Sequence, residues 1–234
     1  MREPEKTRRQ RRGSPPFMAA YKIGVLGVGM VGGPLSQLWA RAGHEVFISS
    51  RHPEALQPPA GGRKGSVLEA VRFADVLLLA IPFSSVPHLP AEVKEAMVGK
   101  VVIDANNAWK GREGAAAAEA HATGLGSGAW TAQQLPGARI VKGFNTWPFF
   151  RYSDYAALPA EQRPAVPLAA DDAAALEIVV QLVRDAQMAP VVAPGGLAAA
   201  ARFDVDTPAG PLSLLNKEAL AKALGVQIDQ DRDL

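Results

Sequence analysis

The sequence predicts an α/β protein, a doubly wound and mostly parallel sheet followed by a short C-terminal helical segment. Three observations carry that prediction. First, Tyr21–Leu26 is an apolar, partly β-branched run that leads directly into Gly27-Val28-Gly29-Met30-Val31-Gly32, a helical stretch to about Ala42 and a second strand, His44–Ser49. Second, Ala74–Ile81 is a near-continuous apolar run, as expected of a strand buried on both faces of a parallel sheet, and Lys100–Ala105 and Arg139–Lys142 read as further strands. Third, strands and helical stretches alternate from residue 21 to residue 193.

The opening unit sets the chemistry. A G-x-G-x-x-G pattern matters only between a strand and a helix, and here it has that context. Gly27 allows the tight turn out of the strand, Gly29 lets backbone N–H groups approach a pyrophosphate, and Gly32 allows close helix–strand packing. The helix N-terminus then presents free N–H groups and a positive dipole end to phosphates. Pro34, in the first turn or so, costs little. Met30 and Val31 complete the loop expected to touch the cofactor, and a plain glycine-rich turn is the alternative.

The residues after the second strand choose the nucleotide. NAD sites place Asp or Glu there for the ribose hydroxyls, but this chain has Ser49-Ser50-Arg51-His52. A carboxylate would repel a 2′-phosphate, whereas a guanidinium beside a hydroxyl bonds it with charge assistance. Ser50 and Arg51 are therefore expected on the 2′-phosphate of NADP(H), against the alternative of a solvated loop arginine.

Further along, residues 53–65 are rich in Pro and Gly and read as a loop. Ser66 is expected to cap a short helix through Arg72. Ala80, Ile81 and Pro82, at the end of the next strand, should face the cofactor, since ligands lie beyond the carboxyl ends of such strands. A helix over residues 87–97 and the strand 100–105 follow. Asn106 is then placed to bond the nicotinamide ribose, and Asn107 and Trp109 to border a second substrate; turn roles fit the asparagines equally well. Gly111–Gly128 reads as a long Ala/Gly-rich connection, with Ser127 capping a helix through Leu135. Phe144, Asn145 and Trp147, after the strand 139–142, are assigned to the same acceptor pocket. A strand over 165–168, a helix capped by Asp171, a strand over 190–192 and a helix over 212–224 complete the pattern.

Composition bounds the rest. The 234 residues are 48% hydrophobic and 21% charged, typical of a globular chain. The absence of cysteine excludes disulfides, thiolate metal sites and thiol nucleophiles. Residues 1–17 hold six Lys/Arg and two Glu, leaving 19 basic against 21 acidic groups in the remainder. They read as a disordered basic extension without a hydrophobic signal core. Residues 18–193 are assigned to the nucleotide-binding domain, and residues 194–234 to a helical segment packed on it. No metal cluster, nucleophile elbow or Ser–x–x–Lys pattern is present, so no catalytic side chain or metal site is assigned. His44 reads as structural, His52 as near the adenosine phosphate, and His88 and His121 as solvated. No apolar run approaches membrane-spanning length. A cytoplasmic homodimer that binds neither nucleic acid nor membrane is expected.

With these residues in view, the chain resembles the F420-dependent NADP oxidoreductase family of the NAD(P)-binding Rossmann superfamily. The likeness rests on Gly27–Gly32, on Gly43–Val46 leading to Ser49-Ser50-Arg51, on Ala80-Ile81-Pro82, on Val102–Asn106 and on Leu135–Thr146. It spans about residues 21–200, and the Lys142–Thr146 stretch discriminates best. Asn107 and Gly143 depart from the family pattern, which commonly has Pro and Ala there. The resemblance implies reversible hydride transfer between NADP(H) and the deazaflavin coenzyme F420, with a flavin as acceptor in related ferric reductases. An NADPH-dependent dehydrogenase or imine reductase and a non-catalytic NADP(H)-binding regulator are the alternatives.

Overall fold

The protein is described here by a computed structural model covering residues 20–146, 155 and 158–228. Its sheet has eight strands: β1 Lys22–Leu26, β2 Glu45–Ser49, β3 Arg63–Gly65, β4 Val76–Leu79, β5 Val101–Asp104, β6 Arg139–Lys142, β7 Ala165–Ala170 and β8 Ala189–Val192. The order across the sheet is β3-β2-β1-β4-β5-β6-β7-β8. Pairings among β1 to β6 are all parallel, which is the doubly wound topology expected. β7 runs antiparallel to β6, held through Val141–Ala170 and Lys142–Ala169, and β8 is parallel to β7.

Among the described residues, seven helices cover the sheet: α1 Gly32–Arg41, α2 Val67–Phe73, α3 Ala91–Met97, α4 Gly114–Ala122, α5 Ser127–Gln134, α6 Ala173–Asp185 and α7 Lys217–Ala223. The continuous apolar strands are explained by two-sided burial. In β4, Val76 and Leu78 join the core under α1 and α6, while Leu77 and Leu79 join the core under α2 to α5. Each fully buried Leu or Val contributes roughly 1.5–3 kcal/mol, so this strand alone anchors both layers. Trp39 of α1 is fully buried and donates its indole N–H to the Leu182 carbonyl (2.9 Å), tying α1 to α6. A third cluster packs Phe203, Leu220 and Leu224 against Val191 of β8, so residues after β8 continue the same body.

Several local expectations are corrected. Residues 63–65 form an edge strand rather than loop, because the turn at Gly61-Gly62 returns the chain to pair with β2 at Phe47–Ser49. The Ala-rich stretch 114–122 is helix α4, since alanine is the best helix former and tertiary packing of Ala117 and Ala120 secures it. Asp172, one residue later than expected, caps α6 by accepting from the Ala175 N–H (2.9 Å). Asp171 instead accepts from the Leu197 N–H (2.8 Å). Ser66 caps α2 as expected, in a reciprocal capping box with Glu69. No helix of the described residues is long and apolar enough to cross a membrane. The basic extension 1–17 lies outside the described residues.

Candidate cofactor and acceptor site

The carboxyl ends of β1, β4, β5 and β6 lie level, cross-linked by Ala80 N–H to Leu26 (2.9 Å), Ala105 N–H to Leu79 (3.1 Å) and Gly143 N–H to Asp104 (3.2 Å). The loops leaving them form one edge, as expected where a doubly wound sheet binds ligands.

On that edge the glycine loop divides its labour. Gly27 has φ +94°, and a Cβ there would overlap the Ala80 carbonyl. A Cβ on Gly32 would overlap the Gly27 carbonyl, so this glycine sets how closely α1 approaches β1. Gly29 is exposed and has open space where a Cβ would stand. Structural glycines therefore flank one whose missing side chain leaves room for something else. Met30 is 68% exposed beside it, and Val31 sits at the N-cap of α1 with no side-chain cap bond. The ten-residue helix thus starts without a side-chain cap just after the open position at Gly29, with the Gly33 N–H bonded to the Gly29 carbonyl (3.0 Å), an arrangement that suits a pyrophosphate.

At the end of β2, Ser49 is buried, its hydroxyl donating to the Val25 carbonyl (3.0 Å). Ser50 accepts from the His52 N–H (3.0 Å), which curls the chain and leaves Arg51 exposed. Arg51 makes no ion pair or hydrogen bond among the described residues. Its cationic neighbours are otherwise engaged. Lys64 donates to the Glu54 and Leu56 carbonyls (3.0 and 2.8 Å), and Arg63 lies over the Phe73 ring (5.1 Å). The acid in this loop, Glu54, stands 3.5 Å from His52. An uncommitted guanidinium beside a hydroxyl fits a 2′-phosphate.

Ala80 and Ile81 are half-buried at the end of β4, with Pro82 exposed, on the same edge as Gly27. The following 3-10 turn is fastened to the loop after β5 by Glu113, which accepts from the Ser84 N–H (3.0 Å) and hydroxyl (2.8 Å) and from Arg112 (3.0 Å). Burial pushes the Glu113 carboxyl up, but the Ser84 bonds and the Arg112 charge outweigh it and hold it below the usual range.

The side expected to border the acceptor is built from the loops after β5 and β6. Asn107 donates to the Asn145 carbonyl (2.8 Å), and the Asn145 side-chain NH₂ lies 3.4 Å from the Asn107 side-chain oxygen and donates to the Phe203 carbonyl (3.0 Å). Asn106, Asn107 and Asn145 are thus brought together, and Trp109 is half-buried on the same loop. Phe144 is a correction. It is fully buried with φ +60° and its ring packs edge-on against Trp39 (5.7 Å), so it belongs to the core rather than to a pocket wall. The reason is that the chain turns sharply after β6 and drives this one ring down under α1. Trp147 lies outside the described residues.

Beneath the asparagines is a group the sequence pattern did not single out. Lys142 and Asp104, both fully buried, pair at 3.1 Å. Asp104 also accepts from the Thr131 hydroxyl (2.8 Å) and the Asn106 N–H (3.0 Å), and Lys142 donates to the Asn106 carbonyl (2.5 Å). Next to it Ser127, expected as a helix cap, bonds Asp204 through both its N–H and hydroxyl (2.6 Å each). The available signal was one charge at the end of each of two apolar strands, at positions that face each other in register. His44 is structural as expected, accepting from the Tyr21 N–H (3.1 Å) and meeting Asp185 (3.1 Å). His121 is not simply solvated, since it reaches the Ala108 carbonyl (2.9 Å). Among the described residues, no group of three His, Asp or Glu could hold a metal ion.

Comparison with known proteins finds similar chains. Residues 22–108 match the family described as NADP oxidoreductase, coenzyme F420-dependent. Among solved structures, a hypothetical protein of Sinorhizobium meliloti is similar at 26% identity and TM-score 0.66, over 85% of this chain and 96% of that one. A candidate F420-dependent NADP reductase of Arthrobacter sp. FB24 shares the fold at 23% identity and TM-score 0.63, over 78% and 88%. An imine reductase of Myxococcus stipitatus with NADP+ shares it at 16% identity and TM-score 0.52, but only 55% of that longer chain is covered. The family match covers residues 22–108, from β1 to the loop after β5, so the likeness to NADP-dependent, coenzyme F420-dependent oxidoreductases lies in the nucleotide-binding part of the chain.

Proposed function

We propose that this protein transfers a hydride between NADP(H) and a flat-ring acceptor, the deazaflavin coenzyme F420 first and a flavin second. The observation that carries the acceptor class is the chemistry of the edge. Beside the asparagines stand an indole and the Thr146 hydroxyl, Lys110 on the same loop is paired with Asp206 (3.2 Å), and the two charged groups beneath are committed to each other and fully buried. Lys142 has no exposed surface, and its donors serve Asp104 and the Asn106 carbonyl. An acceptor whose reduction needs a proton from the protein would find none of these groups available. A conjugated ring that takes the hydride onto its own framework has no such need.

NADPH supplies the hydride from its nicotinamide ring when bound. The chain's own part is placement. Gly29 and the α1 N-terminus would hold the pyrophosphate, Ser50 and Arg51 the 2′-phosphate, and Ala80, Ile81 and Pro82 would border the ring beyond β4. Holding two rings in contact is worth several kcal/mol of barrier without any acid or base. The family match of residues 22–108 supports the donor half of this reading.

The test offers NADPH with oxidised F420, then FMN or FAD, then a panel of small carbonyls and imines, following nucleotide absorbance. Turnover with F420 or with a flavin is the expected result. Reduction of a carbonyl or imine alone would overturn the acceptor class, and its pH dependence would then expose a proton donor. Tight NADPH binding with no turnover on any acceptor would make the protein a nucleotide-binding regulator instead.

A further inference from the structure

The polar groups around the ends of β5 and β6 are almost completely satisfied. Asp104, Thr131, Lys142, Ser127 and Asp204 all have partners within 3.1 Å, and the Asn107 NH₂ has the Asn145 carbonyl. Two atoms stand out. The side-chain NH₂ of Asn106 and the side-chain oxygen of Asn145 are buried and have no hydrogen-bond partner among the described residues. Both residues are only 4% exposed. The Asn145 amide cannot be turned to relieve this, because its NH₂ already donates to the Phe203 carbonyl, which can only accept. The Asn106 backbone is gripped on both sides, by Asp104 and Lys142.

A buried polar group without a partner costs about 1–3 kcal/mol, so a network this well satisfied has two openings that folding alone does not justify. The openings are complementary: one donor and one acceptor, on loops that leave neighbouring strands and are tied together by Asn107 and Asn145.

We propose that Asn106 and Asn145 form a recognition pair for a planar amide edge, a carbonyl oxygen beside an N–H. Asn106 donates to the carbonyl and Asn145 accepts from the N–H. This inference rests on the hydride-transfer reading for its two candidate sources. One is the carboxamide of the nicotinamide ring, and the other is the imide edge of a deazaflavin or flavin. Either contact would fix a ring's rotation within its own plane, which stacking on an aromatic surface leaves free. The pair would therefore decide which ring atom faces its partner.

The measurement is Asn106→Ala, read by melting temperature without ligand, by NADPH affinity and by acceptor KM. Its side chain bonds nothing among the described residues, so the melting temperature should stay level or rise. Binding should fall at least tenfold. A loss in NADPH affinity assigns the pair to the carboxamide. The 3-acetylpyridine analogue of NADP(H), which lacks the N–H, should then bind unmutated protein at least tenfold more weakly than NADPH. A rise in acceptor KM with NADPH affinity unchanged assigns it to the imide edge. A drop in melting temperature of several degrees with both binding constants unchanged would make Asn106 structural and overturn the proposal. Unchanged values throughout would leave ordered water as the partner and overturn it too. If Asn106→Ala weakens NADPH while no ring acceptor turns over, the pair stands and the acceptor reading falls. If the unmutated protein binds no NADPH, both fall.

Discussion

The two halves of this molecule reach a defined structure by different means. Up to β5, every backbone position that needs the left-handed region is a glycine: Gly27, Gly43, Gly61 and Gly99 among the described residues. After β5, five non-glycine residues take positive φ, Phe144, Gln187, Asp206, Leu212 and Leu214. The distribution of buried polar groups follows the same division. Among the described residues, the buried polar side chains before β5 are Ser36, His44 and Ser49; from Asp104 onward there are nine, including both members of an ion pair. The nucleotide half is specified locally, residue by residue. In the acceptor half a costly backbone or a buried charge persists only because distant partners over-determine it.

This contrast predicts where substitutions hurt. The largest effect should come from the acceptor half. Lys142→Met leaves Asp104 buried and unpaired, and should cost about 3–5 kcal/mol in urea denaturation. Adding Asp104→Asn should recover part of that loss, because the two sites are coupled. Independent, additive losses would break the picture of one network.

In the nucleotide half the glycines should separate folding from binding. Gly27→Ala places a Cβ against the Ala80 carbonyl at φ +94° and should destabilise by about 3 kcal/mol. Gly29→Ala meets open space, so it should leave the melting temperature within about a degree while weakening NADPH at least tenfold. An equal loss of stability at both positions would show that the loop has no division of labour.

Arg51→Ala comes next. It should remove most of the preference for NADPH over NADH, about 1.5–3 kcal/mol, and leave NADH affinity nearly untouched. Equal affinities in the unmutated protein would refute the phosphate assignment of Arg51.

The smallest expected effect is at Glu113, which joins the two halves through Ser84. Its carboxyl lies below the usual value of 4.5, so it adds stability above that pH and loses it as pH falls through the lowered value. Glu113→Gln should cost about 1 kcal/mol at pH 7 and flatten the acid limb of the stability curve. An unchanged acid limb would mean the carboxylate contributes nothing to the junction.

By itself the sequence determined the strand–glycine loop–helix–strand unit and the two-sided burial of β4, and it raised the expectation of NADP(H) over NAD(H). Each of these follows from short-range rules: a residue type without a Cβ, an apolar run too long for one face, a missing carboxylate. Tertiary structure alone decided the rest. The reversal of β7 depends on pairing at Val141 and Lys142, more than twenty residues away in sequence. The sequence places Phe144 on a pocket wall because it follows the strand 139–142 at the ligand-binding edge, yet packing against Trp39, over a hundred residues earlier, takes it into the core. The pairing of Lys142 with Asp104, and with it the two unsatisfied asparagine atoms above, exists only once β5 and β6 lie side by side. Local patterns report what one segment can do with its own backbone and solvent; a buried charge or amide has meaning only against the partner that the fold brings to it.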